Sequence, residues 1–100
     1  MKTKEFQSRL EAALKRAGLP TDPLEIVGKK YRFGCEYHLH HTVLVGTIEA
    51  IELTYGGALE LYVSSPKFWG GTLISFQYRE GAWIAISGGG DAMAGEFVLL

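Results

Sequence analysis

Apolar residues in the first part of the chain are spaced for a helix, and those in the remainder are spaced for strands. Phe6, Leu10, Ala13, Leu14 and Ala17 recur at three- and four-residue intervals, which places them on one helical face. Thr3 supplies an oxygen suited to an N-cap, and Gly18 followed by Leu19-Pro20 is a stop signal. A helix over about residues 4–17 is predicted. Thr21-Asp22-Pro23 then reads as a turn, because proline pushes the residue before it out of the helical region.

From residue 24 the period is two. Tyr31, Phe33, Cys35, Tyr37 and Leu39 share one face of an extended run, and Lys30, Arg32, Glu36, His38 and His40 share the other. Val43–Tyr55 reads as a second strand with a bulge at Gly46 or at Glu49-Ala50. Gly56-Gly57 reads as a two-residue hairpin turn with both glycines at positive φ, and Ala58–Ser64 returns with Leu59, Leu61 and Val63 inward. Ser65–Gly71 is expected to be a loop. Thr72–Arg79 follows as a strand with Ile74, Phe76 and Tyr78 on one face; Glu80-Gly81 is a tight turn, and Ala82–Ser87 turns Ile84 and Ile86 inward. Gly88-Gly89-Gly90 reads as a flexible or bent connection, Asp91 as the cap of a short helical turn, and Glu96–Leu100 as the last strand. That strand is apolar and is expected to be an edge, open to pairing with a second copy.

The architecture expected is α+β: an N-terminal helix packed on a curved five- to six-stranded antiparallel sheet, or a half-open small β-barrel. It forms one domain over residues 1–100, β-rich from about residue 24 to the end. The order of a helix followed by short bent strands resembles that of small SH3-like and OB-like barrels, a likeness of topology that carries no particular function.

Composition narrows the function classes. With 47% hydrophobic and 12% aromatic residues in 100, disorder is excluded. A net charge of −1 gives no molecule-wide field to steer the chain onto nucleic acid or anionic lipid. The charge is nonetheless uneven: residues 1–32 hold eight basic and four acidic side chains, residues 33–100 two and seven. Cys35 is the single cysteine, so no intramolecular disulfide or thiolate zinc cluster forms. The N-terminus lacks an apolar signal segment, and no run reaches the length of a membrane span, so a soluble cytoplasmic protein is expected.

Three constellations carry candidate chemistry. Glu36-x-His38-x-His40, on a strand, projects two imidazoles and a carboxylate to one side, a set suited to a first-row metal. Lys29, Lys30 and Arg32 interleave with Tyr31 and Phe33, the composition of a single-strand nucleic-acid platform, although alternation sends rings and cations to opposite faces. Lys67, Phe68 and Trp69, between Pro66 and Gly70-Gly71, place two rings on a loop suited to anchoring a protein partner. Gly88-Gly89-Gly90-Asp91 lacks the ending of a phosphate loop. Ser64 and Ser65 have no nucleophile turn, Glu49 and Glu52 read as solvated acids, and Cys35 reads as a small buried hydrophobe. The expectation is therefore a small non-catalytic binding domain without a cofactor, acting on another protein as adaptor or stoichiometric inhibitor. Single-stranded nucleic-acid binding and metal binding are the alternatives.

Overall fold

The computed structural model describes the backbone of residues 2–37, 39–64, 67–68 and 71–100, and the side chains of 4–36, 39–64 and 71–100. Helix α1 covers Lys2–Arg16, so Thr3 lies inside its first turn instead of capping it. The stop at Gly18 is as expected. Gly18 takes φ 76, its amide donates to the Lys15 carbonyl, and the Leu19 amide donates to the Leu14 carbonyl, the two bonds of a Schellman motif. Asp22 then caps a single 3-10 turn over Pro23–Glu25 by accepting from the Leu24 amide at 3.0 Å.

Among the described residues seven strands follow: β1 (Lys30–Tyr37), β2 (His40–Leu53), β3 (Leu59–Val63), β4 (Lys67–Phe68), β5 (Gly71–Arg79), β6 (Ala82–Ser87) and β7 (Ala92–Leu99). All pairings are antiparallel. The wall runs β3-β2-β1-β7-β6-β5 and closes through a β3–β5 ladder, Leu59 opposite Tyr78 to Tyr62 opposite Ser75. The result is a closed six-stranded barrel, with β4 an appendage on β5 inside the segment expected to be a loop. Closure works because β2 is long enough to serve two neighbours. It pairs with β1 up to Thr47 and with β3 from Ile48 onward, the β3 register shifting between Ile48 and Ala50. The bulge residue is Glu49, one of the two positions read from the sequence.

The barrel is solid. Tyr31, Phe33, Phe76, Leu61, Leu59, Ile48 and Leu73 are all at most 2% exposed. The Phe76 ring lies 4.9 Å from Tyr31, 4.8 Å from Phe33 and 5.1 Å from Phe97, with Trp83 4.6 Å beyond Phe97. Leu10, Ala13 and Leu14 of α1 join this cluster, and the helix plugs one end. Phe6, on the same stripe, extends past the barrel and is 49% exposed.

Several sequence expectations need correction. The β5 register shifts between Leu73 and Ser75, so Leu73 and Phe76 face inward while Ile74 faces out. On β6 the inward residues are Trp83, Ala85 and Ser87, not Ile84 and Ile86. Trp83 enters by stacking on Phe97 at 4.6 Å and packing against Tyr78 at 5.1 Å, and the small Ala85 and Ser87 fill what the rings leave further along β6. The β2–β3 connection is a three-residue loop, because Thr54 and Ala58 form its closing pair: the Thr54 amide donates to the Ala58 carbonyl and the Ala58 amide to Thr54 Oγ1. Only Gly57 takes positive φ there, as a type I turn followed by a left-handed residue requires. Asp91 caps no helix; it lies in the β6–β7 hairpin, and β7 starts at Ala92. Nor is the last strand an edge. Ala92–Gly95 pair with β6 and Glu96–Leu99 with β1, which removes the expected open edge for a second copy.

Candidate functional site

Where β7 changes partner, the wall opens. Gly95 is the pivot: a Cβ there would lie 2.5 Å from the Gly34 carbonyl oxygen and 2.5 Å from Phe33 Cζ, so only glycine lets β7 pass this close. Beyond that crossing the β1–β7 ladder stops at Gly34 opposite Glu96. Cys35–Tyr37 consequently keep ladder partners only on β2. A groove of about 840 Å³ occupies the outer wall at this point. Its floor is Gly34, Val43, Ala94 and Val98, and its rim carries Arg32, Glu36, His41 and Glu96. Val45, opposite Arg32 on β2, extends the apolar strip and is 58% exposed.

The His41 ring is held over the glycine floor, its Cε1 3.3 Å from where a Cβ on Gly34 would sit. Its Nδ1 lies 3.5 Å from Glu36 Oε1, and both side chains are exposed. Cys35 is buried; burial first, and then the Glu36 charge, push its thiol up, which leaves it protonated and unreactive at neutral pH.

A second polar cluster lies on the outer face of β3 and β5. Glu60 accepts from the Tyr62 hydroxyl at 3.0 Å, the Ser75 hydroxyl at 2.9 Å and the Gln77 amide at 2.8 Å. The hydrogen bond to Glu60 is the main cause that pushes the Tyr62 phenol up, ahead of burial and the charges of Glu60 and Glu52. A carboxylate held by three donors is a structural acceptor and a poor general base. Nothing singled these residues out in the sequence except their outward positions on strands that become neighbours only after closure.

The sequence candidates are placed as follows. Lys29, Lys30 and Arg32 are exposed, while Tyr31 and Phe33 are fully buried, so the β1 cations share no face with those rings. The metal reading assumed one strand running through residue 40, and that is corrected: β1 ends at Tyr37 and β2 begins at His40. Glu36 is opposite His41 and Tyr37 opposite His40, so Glu36 and His40 project to opposite faces. His38 lies outside the described residues, among which no group of three His, Cys, Asp or Glu side chains could hold a metal. Trp69 and the side chains of Lys67 and Phe68 also lie outside them; the Lys67–Phe68 backbone forms β4, opposite Thr72 and Gly71. No described helix is long and apolar enough to cross a membrane. Compared with models of known protein families, with curated proteins and with solved structures, the chain matches none of them.

Proposed function

We propose that the chain is a non-catalytic binding domain, an adaptor or stoichiometric inhibitor, whose partner protein lays an extended segment along the outer groove. The observation that carries this reading is the parting of β1 from β7 at Gly34 and Gly95. It leaves a concave apolar floor beside a stretch of β1 that is paired on one side only. An extended segment gains main-chain bonds from such an edge and specificity from alternate side chains. The groove supplies both: Val43 and Val98 for apolar side chains, Arg32 for an acidic one, and Glu36 with Glu96 for a basic one. Because the barrel interior is filled with rings, the outer wall is where a ligand of this size finds room. Lys67, Phe68 and Trp69 stay in this reading as additional partner contacts.

The test compares capture of proteins from host lysate by the wild type with capture by Val45→Glu, Val98→Glu and Trp69→Ala, using Glu11→Gln on the far side of α1 as control. A protein retained by wild type and control but lost with both valine variants supports the groove. Equal capture by all of them removes it, and loss only with Trp69→Ala moves the contact to Lys67, Phe68 and Trp69.

A further inference from the structure

The end of the barrel plugged by α1 carries three arginines that no described carboxylate pairs with. Arg9 and Arg16 stand seven residues apart, so two turns of α1 bring them onto one edge of the helix beside the buried stripe of Leu10, Ala13 and Leu14. That edge overhangs the β2–β3 loop. Arg9, Ala12, Arg16 and Leu53 enclose a groove of about 300 Å³ that ends on Gly56-Gly57. A second groove of about 710 Å³ starts at the same two glycines and runs to the β5–β6 turn, with Arg16 on one side and Arg79 and Glu80 on the other. Arg16 therefore borders both grooves. The Arg9 guanidinium reaches to 3.9 Å from where a Cβ on Gly57 would sit, and Gly57 holds φ 86, so the loop meets this crevice as bare backbone.

Among the described residues, no carboxylate pairs with Arg9, Arg16 or Arg79. Glu5, one turn before Arg9, and Glu80, next to Arg79, do not engage them. The three guanidinium groups are exposed and border one concave surface with no described carboxylate paired to them, an arrangement that concentrates anions there. Each presents a planar fork that matches the oxygens of a phosphoryl group better than an ammonium does. The arginines flank the glycine loop in two joined grooves, so an anion with two linked phosphoryl groups offers contacts to more of them than a single tetrahedral anion does. We propose that this crevice binds the diphosphate group of a small phosphorylated molecule, with Arg16 at the centre and Arg9 and Arg79 at either side. The crevice meets the outer groove only at Gly81 and shares none of its charged rim residues, so the proposal does not depend on the groove's occupant.

Calorimetric titration with inorganic pyrophosphate and with inorganic phosphate at low salt tests this directly. Pyrophosphate is expected to bind at least about tenfold more tightly than phosphate, since it adds a second charge-assisted contact. Arg16→Gln is expected to weaken pyrophosphate binding about tenfold or more, while Lys15→Gln, on the same helical turn but outside both grooves, changes it less than about twofold. Far-ultraviolet circular dichroism of both variants controls for folding. Absence of pyrophosphate binding at millimolar concentration overturns the proposal. So does equal weakening by Lys15→Gln, which marks a diffuse charge effect, and so does a single-stranded oligonucleotide that binds through Arg16 while pyrophosphate does not.

Discussion

Replacing Gly95 with alanine places one methyl group at the point where β7 crosses β1. The added carbon would start 2.5 Å from the Gly34 carbonyl oxygen, 2.5 Å from Phe33 Cζ and 2.9 Å from Phe33 Cε2. Atoms in good contact sit about 3.5–4.0 Å apart, so something must move by about 1 Å. Neither neighbour is free to do so. Gly34 is in the ladder with Glu96 on one side and Val43 on the other, and the Phe33 ring is fully buried 4.8 Å from the Phe76 ring. Overpacking costs about 1–3 kcal/mol, and with backbone as one of the clashing groups the upper end, about 3 kcal/mol, applies here. For a domain with a total stability of about 5–15 kcal/mol this is a large share. With an m-value of about 1.5 kcal/mol per molar, the urea midpoint falls by about 2 M. Gly56→Ala is the matched control. Nothing lies within 4 Å of its Cβ position and its φ is not positive, so the midpoint should stay put or rise slightly. A Gly95→Ala protein with a midpoint within experimental error of wild type would refute the crossing, and with it the origin of the outer groove.

The Tyr31 hydroxyl is buried without a hydrogen-bond partner among the described residues, and burial pushes its phenol from 10.0 up to about 12. The folded state thus holds this proton more tightly than the unfolded chain. The corresponding stability is complete below pH 10 and is lost as the pH rises towards 12, by about 3 kcal/mol. Tyr31→Phe should be neutral or stabilising by about 1 kcal/mol at pH 7 and should lose less stability in alkali; parallel alkaline unfolding of the two proteins contradicts this. Glu60→Ala strands the Ser75 hydroxyl and the Gln77 amide, both buried, and should cost about 2 kcal/mol in urea denaturation. The same Glu60→Ala variant should in addition bring the Tyr62 phenol back towards its ordinary range, read as tyrosinate absorbance, and an unchanged titration argues against the bond. Glu80 is held at φ 51, which a side chain longer than asparagine's tolerates poorly, so Glu80→Asn should stabilise by about 0.5 kcal/mol in thermal unfolding.

Local chemistry was readable and closure was not. The helix stop at Gly18, the inward set Leu59, Leu61 and Val63, and a bulge in β2, narrowed to Gly46 or Glu49-Ala50, all follow from neighbours within a few residues, where propensity and period act directly. The faces of β5 and β6 do not. Alternation alone cannot tell whether Ile84 or Trp83 is inside, and the choice falls to the ring contacts Trp83 makes with Phe97 and Tyr78 once their strands are neighbours. The hairpin between Tyr37 and His40 was invisible because the alternation of residue types continues unbroken across it. Leu39 sits there at φ 67, fully exposed, a conformation for which no leucine would be chosen on propensity. The groove escaped for a related reason. Gly34 and Gly95 are 61 positions apart in the chain, and their close approach exists only once β7 has crossed β1.

The outer groove and the crevice under α1 both exist as described only if the barrel is closed; if the sheet is open, neither does. Cross-strand nuclear Overhauser effects in the isotope-labelled protein decide between these. Contacts linking Leu61 to Phe76 across β3–β5, and Phe33 to Phe97 across β1–β7, are expected together, with slowly exchanging amides on β3 and β5. A spectrum that keeps the β2–β3 and β5–β6 contacts but lacks the Leu61–Phe76 set would mean an open sheet, and would contradict the closed barrel.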